Sequence, residues 1–192
     1  MGCDIVKSGI VDDSFEKTRN TLEQIAAKVD CVITTGGVSV GEEDHVKAAV
    51  EENGYLDLWK LAIKPGKPFA SGKIMGKQFF GLPGNPVSAF VTFLLLVKPC
   101  LLSMLGSKKV RVRGFAVKAN FSSCSLSERQ EYLRVRFQND ETGAPFIERC
   151  QNQSSGIGSS LAIADGLAVV PPHTEVSAGD LLEYISFSEL LR

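Results

Sequence analysis

Residue types able to grip an anion are gathered in three glycine-containing loops of this 192-residue chain. The first, residues 34–44, reads Thr-Thr-Gly-Gly-Val-Ser-Val-Gly-Glu-Glu-Asp and follows a short β-branched run. Gly36, Gly37 and Gly41 let the backbone come close to a phosphate, and free amides at the start of a following helix favour negative charge. Ser39 adds a hydroxyl donor. Asp44 would repel a phosphate unless a cation stands between them, and a hard ion such as Mg²⁺ resolves that conflict. Without a ligand, the same residues read as a tight turn followed by acids that suit a helix dipole.

In the second loop, Lys64-Pro65-Gly66-Lys67-Pro68, two prolines fix φ on either side of a glycine and hold both lysines in a stiff turn. That restraint points to an oxyanion, since exposed lysines are otherwise solvated. The third loop, residues 81–88, runs Gly-Leu-Pro-Gly-Asn-Pro-Val-Ser, with Pro83 and Gly84 in the turn and Ser88 at its end. Asn85 stands as an N-cap and Pro86 at the first helical position. Capping alone explains that pattern. As a third glycine loop where a strand meets a helix, it suggests a shared phosphate pocket, which requires the loops to meet in space. Further along, Arg134 and Arg136 alternate with Leu133, Val135 and Phe137 and fall on the wet face of a strand. There, with Arg129, they would be solvated or clamp an oxyanion bidentately. Ser154, Ser155, Gly156 and Gly158 form a small polar loop. His45 and His173 are weak candidates, and no Ser/His/Asp or Cys/His constellation is present.

The elements that position these loops change character along the chain. In residues 1–107, strand and helix signals alternate. Residues 4–11 read as a strand, Asp12 and Asp13 as caps of a helix, and 31–34 as a strand. A helix is expected from about Asp44 to Gly54, strands at 55–63 and 78–80, and a long apolar helix at 85–105 that Pro99 kinks or ends. This alternation predicts an α/β fold with a mostly parallel sheet and flanking helices. Residues 108–192 hold short strands at 110–121, 131–138, 144–150, 166–170 and 180–187, the signature of a small all-β barrel or sandwich. A domain boundary is expected near Ser107.

Bulk properties exclude several function classes. A net charge of −1 and a pI near 6.2 give no basic field for nucleic acid or an acidic membrane surface. The apolar run at 89–97 is too short to span a bilayer and reads as a buried helix. Five scattered cysteines without metal-ligand spacing fit reduced thiols in a cytoplasm, and no signal peptide is visible.

The sequence resembles the MoeA-type molybdenum insertases, the molybdopterin molybdenumtransferase family that includes the gephyrin E domain. The matching motifs are TTGGVSVGEED at 34–44, WKLAIKPGKPF at 59–69 and GLPGNPVSA at 81–89, supported by GCDIVKSGIVDD at 2–13 and QNQSSGIGSSLAIADGL at 151–167. The resemblance implies a MogA-like α/β domain followed by a β-barrel domain. It also implies insertion of molybdate into adenylylated molybdopterin, with Mg²⁺-assisted release of AMP. By position it gives catalytic roles to Asp44, Lys64 and Lys67, with Asp44 beside the metal. Gly36, Gly37, Ser39, Gly41, Pro68, Pro83, Gly84, Asn85 and Ser88 would line the substrate pocket, and Arg134 and Ser155 would complete the oxyanion site. Family members carry further domains before this region, and a strand and helix that open the α/β domain are expected to be missing here. A homodimer is implied, with a MogA-type adenylyltransferase and molybdoenzyme apoproteins as partners. Two alternatives stand beside the insertase: the adenylyltransferase itself, and a gephyrin-like peptide-binding scaffold.

Overall fold

The computed structural model describes residues 2–7, 9–37, 45–110, 112–124 and 127–191. In chain order the first elements are α1 (Phe15–Ala26), β1 (Cys31–Thr35), α2 (His45–Glu51), β2 (Gly54–Lys60), β3 (Ile63–Lys64), β4 (Pro68–Ile74) and β5 (Lys77–Leu82). Next come α3 (Pro86–Thr92), a π-helical turn (Phe93–Val97), α4 (Lys98–Met104), β6 (Phe115–Ala119), β7 (Ser123–Cys124), β8 (Gln130–Asn139) and β9 (Pro145–Arg149). The chain ends with α5 (Ser159–Ala162), β10 (Gly166–Val170), β11 (Glu175–Val176), β12 (Leu181–Ser186) and α6 (Phe187–Leu191). Contacts divide it into two compact units, Met1–Leu61 with Lys67–Gly84, and Ala62–Gly66 with Asn85–Arg192. Compared with a division near Ser107, this places the helical run after Gly84 with the second unit.

The first unit is an α/β layer. Its sheet has the order β1-β5-β4-β2, and α1 and α2 bury Leu22, Ala26, Ala49 and Val50 against Val32, Leu56, Ala70, Ile74 and Phe79. The α/β architecture is as expected, but the sheet is mixed rather than mostly parallel. Among the described residues, β1 and β5 pair in parallel while β5–β4 and β4–β2 are antiparallel. The cause is local. Met75 and Gly76, both at positive φ (50° and 78°), make a two-residue turn whose twist suits an antiparallel hairpin. Residues 4–7 and 9–11 are not a strand either: Ile5 is 85% and Ile10 101% exposed. Alternation makes a strand only where a face is buried and an edge is paired. Helix α1 begins after Ser14 with no side-chain cap bond, and Asp12 instead ion-pairs with Lys17.

The second unit is built on a closed barrel. β10 pairs β12, β12 pairs β6, β6 pairs β9, β9 pairs β8, and β8 returns to β10, so no edge is left in the ring. Val117, Ala119, Leu133, Val135, Ile147, Ala168, Val170 and Tyr184 fill it. All of β10 is buried because its two faces serve two cores. Ala168 and Val170 belong to the interior, while Leu167 and Val169 pack with Ile185, Leu190 and the helix residues Val87, Val91 and Leu94. Pro99 does not end the helix, which runs from Pro86 to Met104. The π-helical turn before it accommodates the lost backbone bond, and Pro99 sits in the first turn of α4. Among the described residues, Pro86–Met104 is the one helix long and apolar enough to cross a membrane, and its apolar side forms the core just named.

Candidate functional site

In the first unit the first and third loops lie side by side. Their strands are parallel neighbours, with Thr35 opposite Leu82, so both loops leave the same edge of the sheet. This carboxyl edge is where open α/β sheets place ligands. The Gly36 N–H donates to the Leu82 carbonyl at 3.0 Å. A Cβ built on Gly84 would stand 3.7 Å from the Gly36 Cα, so the loops touch backbone to backbone. Gly36 and Gly37 hold φ of 79° and 68°, conformations that strain other residues. Just before them the Thr34 hydroxyl is buried with no hydrogen-bond partner among the described residues. Pro83 is buried and Gly84 exposed. Lys67 is exposed, its carbonyl takes the Leu61 N–H at 2.8 Å, and Pro68 opens β4. Ser39, Gly41 and Asp44 lie outside the described residues.

The remainder of the lysine loop belongs to the second unit. β3 adds to the barrel in parallel beside β8, with Ile63 opposite Gln130 and Lys64 opposite Glu131. The Gln130 N–H donates to the Ala62 carbonyl at 2.9 Å, and an Arg129 guanidinium N–H to the Ile63 carbonyl at 3.3 Å. The Lys64 Nζ is 2.9 Å from the Glu131 Oε1, with the lysine side chain 53% and the glutamate 6% exposed. Gly66 closes the turn at φ 114°, where an added Cβ would fall 2.5 Å from the Thr92 Oγ1.

The start of α3 is covered by the polar loop of the barrel. The Ser155 carbonyl accepts the Val87 N–H at 3.1 Å, and the Asn85 amide donates to the Ser155 Oγ at 3.3 Å. That first-turn amide is therefore not free for an anion, and Asn85 makes no side-chain cap bond to the helix. Ser88 is 5% exposed. Arg134 is not on a wet face: it is 1% exposed. Its guanidinium donates to the Ser160 Oγ (3.2 Å) and to the carbonyls of Asn152 (3.1 Å) and Ser154 (3.2 Å). Burial lowers its pKa. The reason is that the second face of β8 is roofed at Arg134 by the loop it holds, which alternation along one strand does not reveal.

Comparison with known proteins also divides the chain in two, with the division between residues 103 and 116. Residues 1–103 match the model of the probable molybdopterin binding domain, and residues 116–187 that of the MoeA C-terminal region, domain IV. The chain belongs to the molybdopterin-binding domain family. A molybdopterin molybdenumtransferase of Haemophilus influenzae is 35% identical over all of this chain and 48% of its own length. The molybdenum cofactor synthesis protein cinnamon of Drosophila melanogaster is 34% identical over 91% of this chain and 29% of its own. The crystal structure of the molybdopterin biosynthesis MoeA protein from Pyrococcus horikosii superposes with a TM-score of 0.75 at 29% identity, covering 93% of this chain and 42% of that one. The chain thus spans about half or less of the length of these relatives. An α/β domain followed by a barrel, and a place in molybdenum cofactor biosynthesis, agree with the reading of the motifs.

Two further residues, which escaped the sequence reading, hold Lys64 and Arg134 in this molybdopterin-binding family member. Glu131 is in phase with Leu133, Val135 and Phe137, and an acid in phase with buried residues is a signal that it is paired. Gln153 clasps the backbone of Arg134, accepting its N–H at 3.1 Å and donating to its carbonyl at 2.9 Å. Nothing in a lone glutamine announces that role. For Mg²⁺, no group of three or more His, Cys, Asp or Glu side chains able to hold a metal occurs among the described residues. They do not make a metal site by themselves, and no chemical step is assigned to one.

Proposed function

We propose that this chain supplies the molybdopterin-binding and barrel portions of a molybdopterin molybdenumtransferase, which inserts molybdate into adenylylated molybdopterin and releases AMP. The observation that carries the reading is the backbone contact of the two glycine loops at the carboxyl edge of β1 and β5. In this reading the amides about Gly36, Gly37 and Gly84 receive the anionic phosphates, because glycine backbones expose donors without side-chain obstruction. Ser39 and Gly41 extend that donor set. Lys64 and Lys67 bind oxyanion oxygens as charged donors. Pro68, Pro83, Asn85 and Ser88 shape the loops, and Arg134 acts through Ser155, whose loop it holds. Asp44 would offer one carboxylate to a Mg²⁺, an ion that usually takes only one or two protein carboxylates and would supply charge neutralisation for phosphates.

The adenylyltransferase alternative is disfavoured by the match of residues 116–187 to the MoeA C-terminal region. In a cytoplasmic setting the partners would be a second copy in a homodimer, a MogA-type adenylyltransferase upstream and molybdoenzyme apoproteins downstream. The test compares this chain with the Haemophilus relative, incubated with adenylylated molybdopterin, molybdate and Mg²⁺, by AMP release and by ligand binding. The chain alone is expected to bind the nucleotide weakly and not to turn over. A rate comparable to that of the longer relative would refute the need for the additional region. Absence of any binding, with the fold intact, would refute the pocket.

A further inference from the structure

Among the described residues, two buried side-chain hydroxyls lack a hydrogen-bond partner, those of Thr34 and Thr92. Thr92 is the more enclosed, at 0% exposed, and stands where α3 gives way to the π-helical turn. A threonine in a helix can relieve such burial by donating to a carbonyl one turn back, and Thr92 makes no such bond. An unpaired buried hydroxyl costs stability, whereas a valine of the same shape carries no such cost. What the hydroxyl faces is the lysine turn. A Cβ built on Gly66 would fall 2.5 Å from the Thr92 Oγ1, so the hydroxyl abuts that backbone. Gly66 holds a φ of 114°. Pro65 and Pro68 have their φ fixed by their rings, and Lys64 is paired with Glu131 across β3 and β8. Glycine passes cheaply between backbone states, so the peptides flanking Gly66 are the part of the turn that can rotate.

We propose that Thr92 is a positioning residue for the lysine turn: when an oxyanion binds, a peptide group flanking Gly66 rotates to meet the Thr92 hydroxyl, and that bond holds the turn in its ligand-bound arrangement. This rests on the oxyanion role given to Lys64 and Lys67 above. Thr92 is buried and does not touch the ligand, so it acts through the backbone that carries the two lysines. The energetics follow from the missing partner. Without ligand, the hydroxyl has lost its water and gained no bond, which raises the free energy of that state. With ligand, the same hydroxyl is satisfied, and the difference between the two states adds to binding. Stability without ligand and affinity for it therefore respond to removal of the hydroxyl in opposite directions. A hydroxyl that merely supported the fold would move both the same way.

The test measures molybdate binding to this chain by calorimetry and melting in the absence of ligand. Thr92→Val is expected to melt at or above the wild type yet bind molybdate about tenfold more weakly, the effect of one lost hydrogen bond. Thr92→Ser keeps the hydroxyl and loses a buried methyl, so it melts lower and binds close to the wild type. A Thr92→Val protein with wild-type affinity would overturn the proposal. So would one whose melting falls together with its affinity, since the hydroxyl would then already be bonded without ligand. Binding as weak in Thr92→Ser as in Thr92→Val would overturn it too, because the hydroxyl would not be the cause. Lys64→Gln tests the underlying reading separately: it is expected to lose molybdate. Undiminished binding there, or no molybdate binding by the wild type, would refute the oxyanion role itself. Loss in Lys64→Gln with wild-type affinity in Thr92→Val would remove Thr92 alone.

Discussion

Replacing Arg134 by methionine, a side chain of similar length without donors, tests how the barrel presents Ser155. The guanidinium makes three hydrogen bonds to the loop at 3.1–3.2 Å. At roughly 1.5–3 kcal/mol for each bond from a charged group, the gross loss is about 6 kcal/mol. Against this, burying the charge is costly, as its lowered pKa shows, and methionine removes that penalty of several kcal/mol. The net destabilisation is therefore about 2–3 kcal/mol, and for a chain of this size about 4–12 °C in Tm. The effect should be local before it is global. The Val87 amide, bonded to the Ser155 carbonyl, should exchange its hydrogen faster by about 30-fold, the factor for 2 kcal/mol of easier opening. Hydrogen exchange followed at residues 85–90 and 152–160, with urea unfolding alongside, measures both. Protection of Val87 unchanged in Arg134→Met would show that the arginine does not hold the loop on α3.

Two further perturbations follow from the same structure. Gly66→Ala combines a positive φ of 114° with a Cβ at 2.5 Å from the Thr92 hydroxyl. It should cost about 2–4 kcal/mol in urea unfolding, whereas Thr92→Ala, removing a buried hydroxyl with no hydrogen-bond partner among the described residues, should cost far less than a buried hydrogen-bonded group would. A Gly66→Ala protein as stable as the wild type would contradict the packing of that turn. Tyr184, inside the barrel and donating to the Asp165 carbonyl, has its pKa pushed up to about 12, mainly by burial. A raised folded-state pKa favours the neutral phenol, so this stability is full below pH about 10 and is lost as pH rises toward about 12. Unfolding measured across that range should show the loss in the wild type and not in Tyr184→Phe.

How much of this was readable in advance depended on whether the deciding contact was local. The β12 and β10 strands were found because period-two burial and short β-branched runs carry their own signal. The mixed sheet was not, because its direction is set by the Met75–Gly76 turn, whose positive φ at a methionine no composition rule predicts. Residues 4–11 carry a strand pattern, yet the described residues 4–7 and 9–11 pair with no strand, since pairing is a property of two segments. In the site, glycine punctuates all three loops and proline two of them, so their existence was plain. The contents were less so. Arg134 looked solvated because alternation describes one face of β8, while the opposite face is closed by a loop about twenty residues later.

The lysine loop shows where that limit lies. Its prolines and glycine announce a rigid turn, and a rigid turn restricts where Lys64 can stand. What fixes the ammonium, however, is a two-residue strand pairing across 67 positions of sequence, Lys64 with Glu131. A two-residue strand has no period to detect, and β8 reveals its glutamate only through phase: Glu131 stands in the buried series with Leu133 and Val135. An acid in that series needs a cation, and the chain offers few that are locally constrained. A rigid lysine loop and an in-phase buried acid therefore predict each other. The net charge offered at the Lys64 ammonium is then a joint property of the two segments.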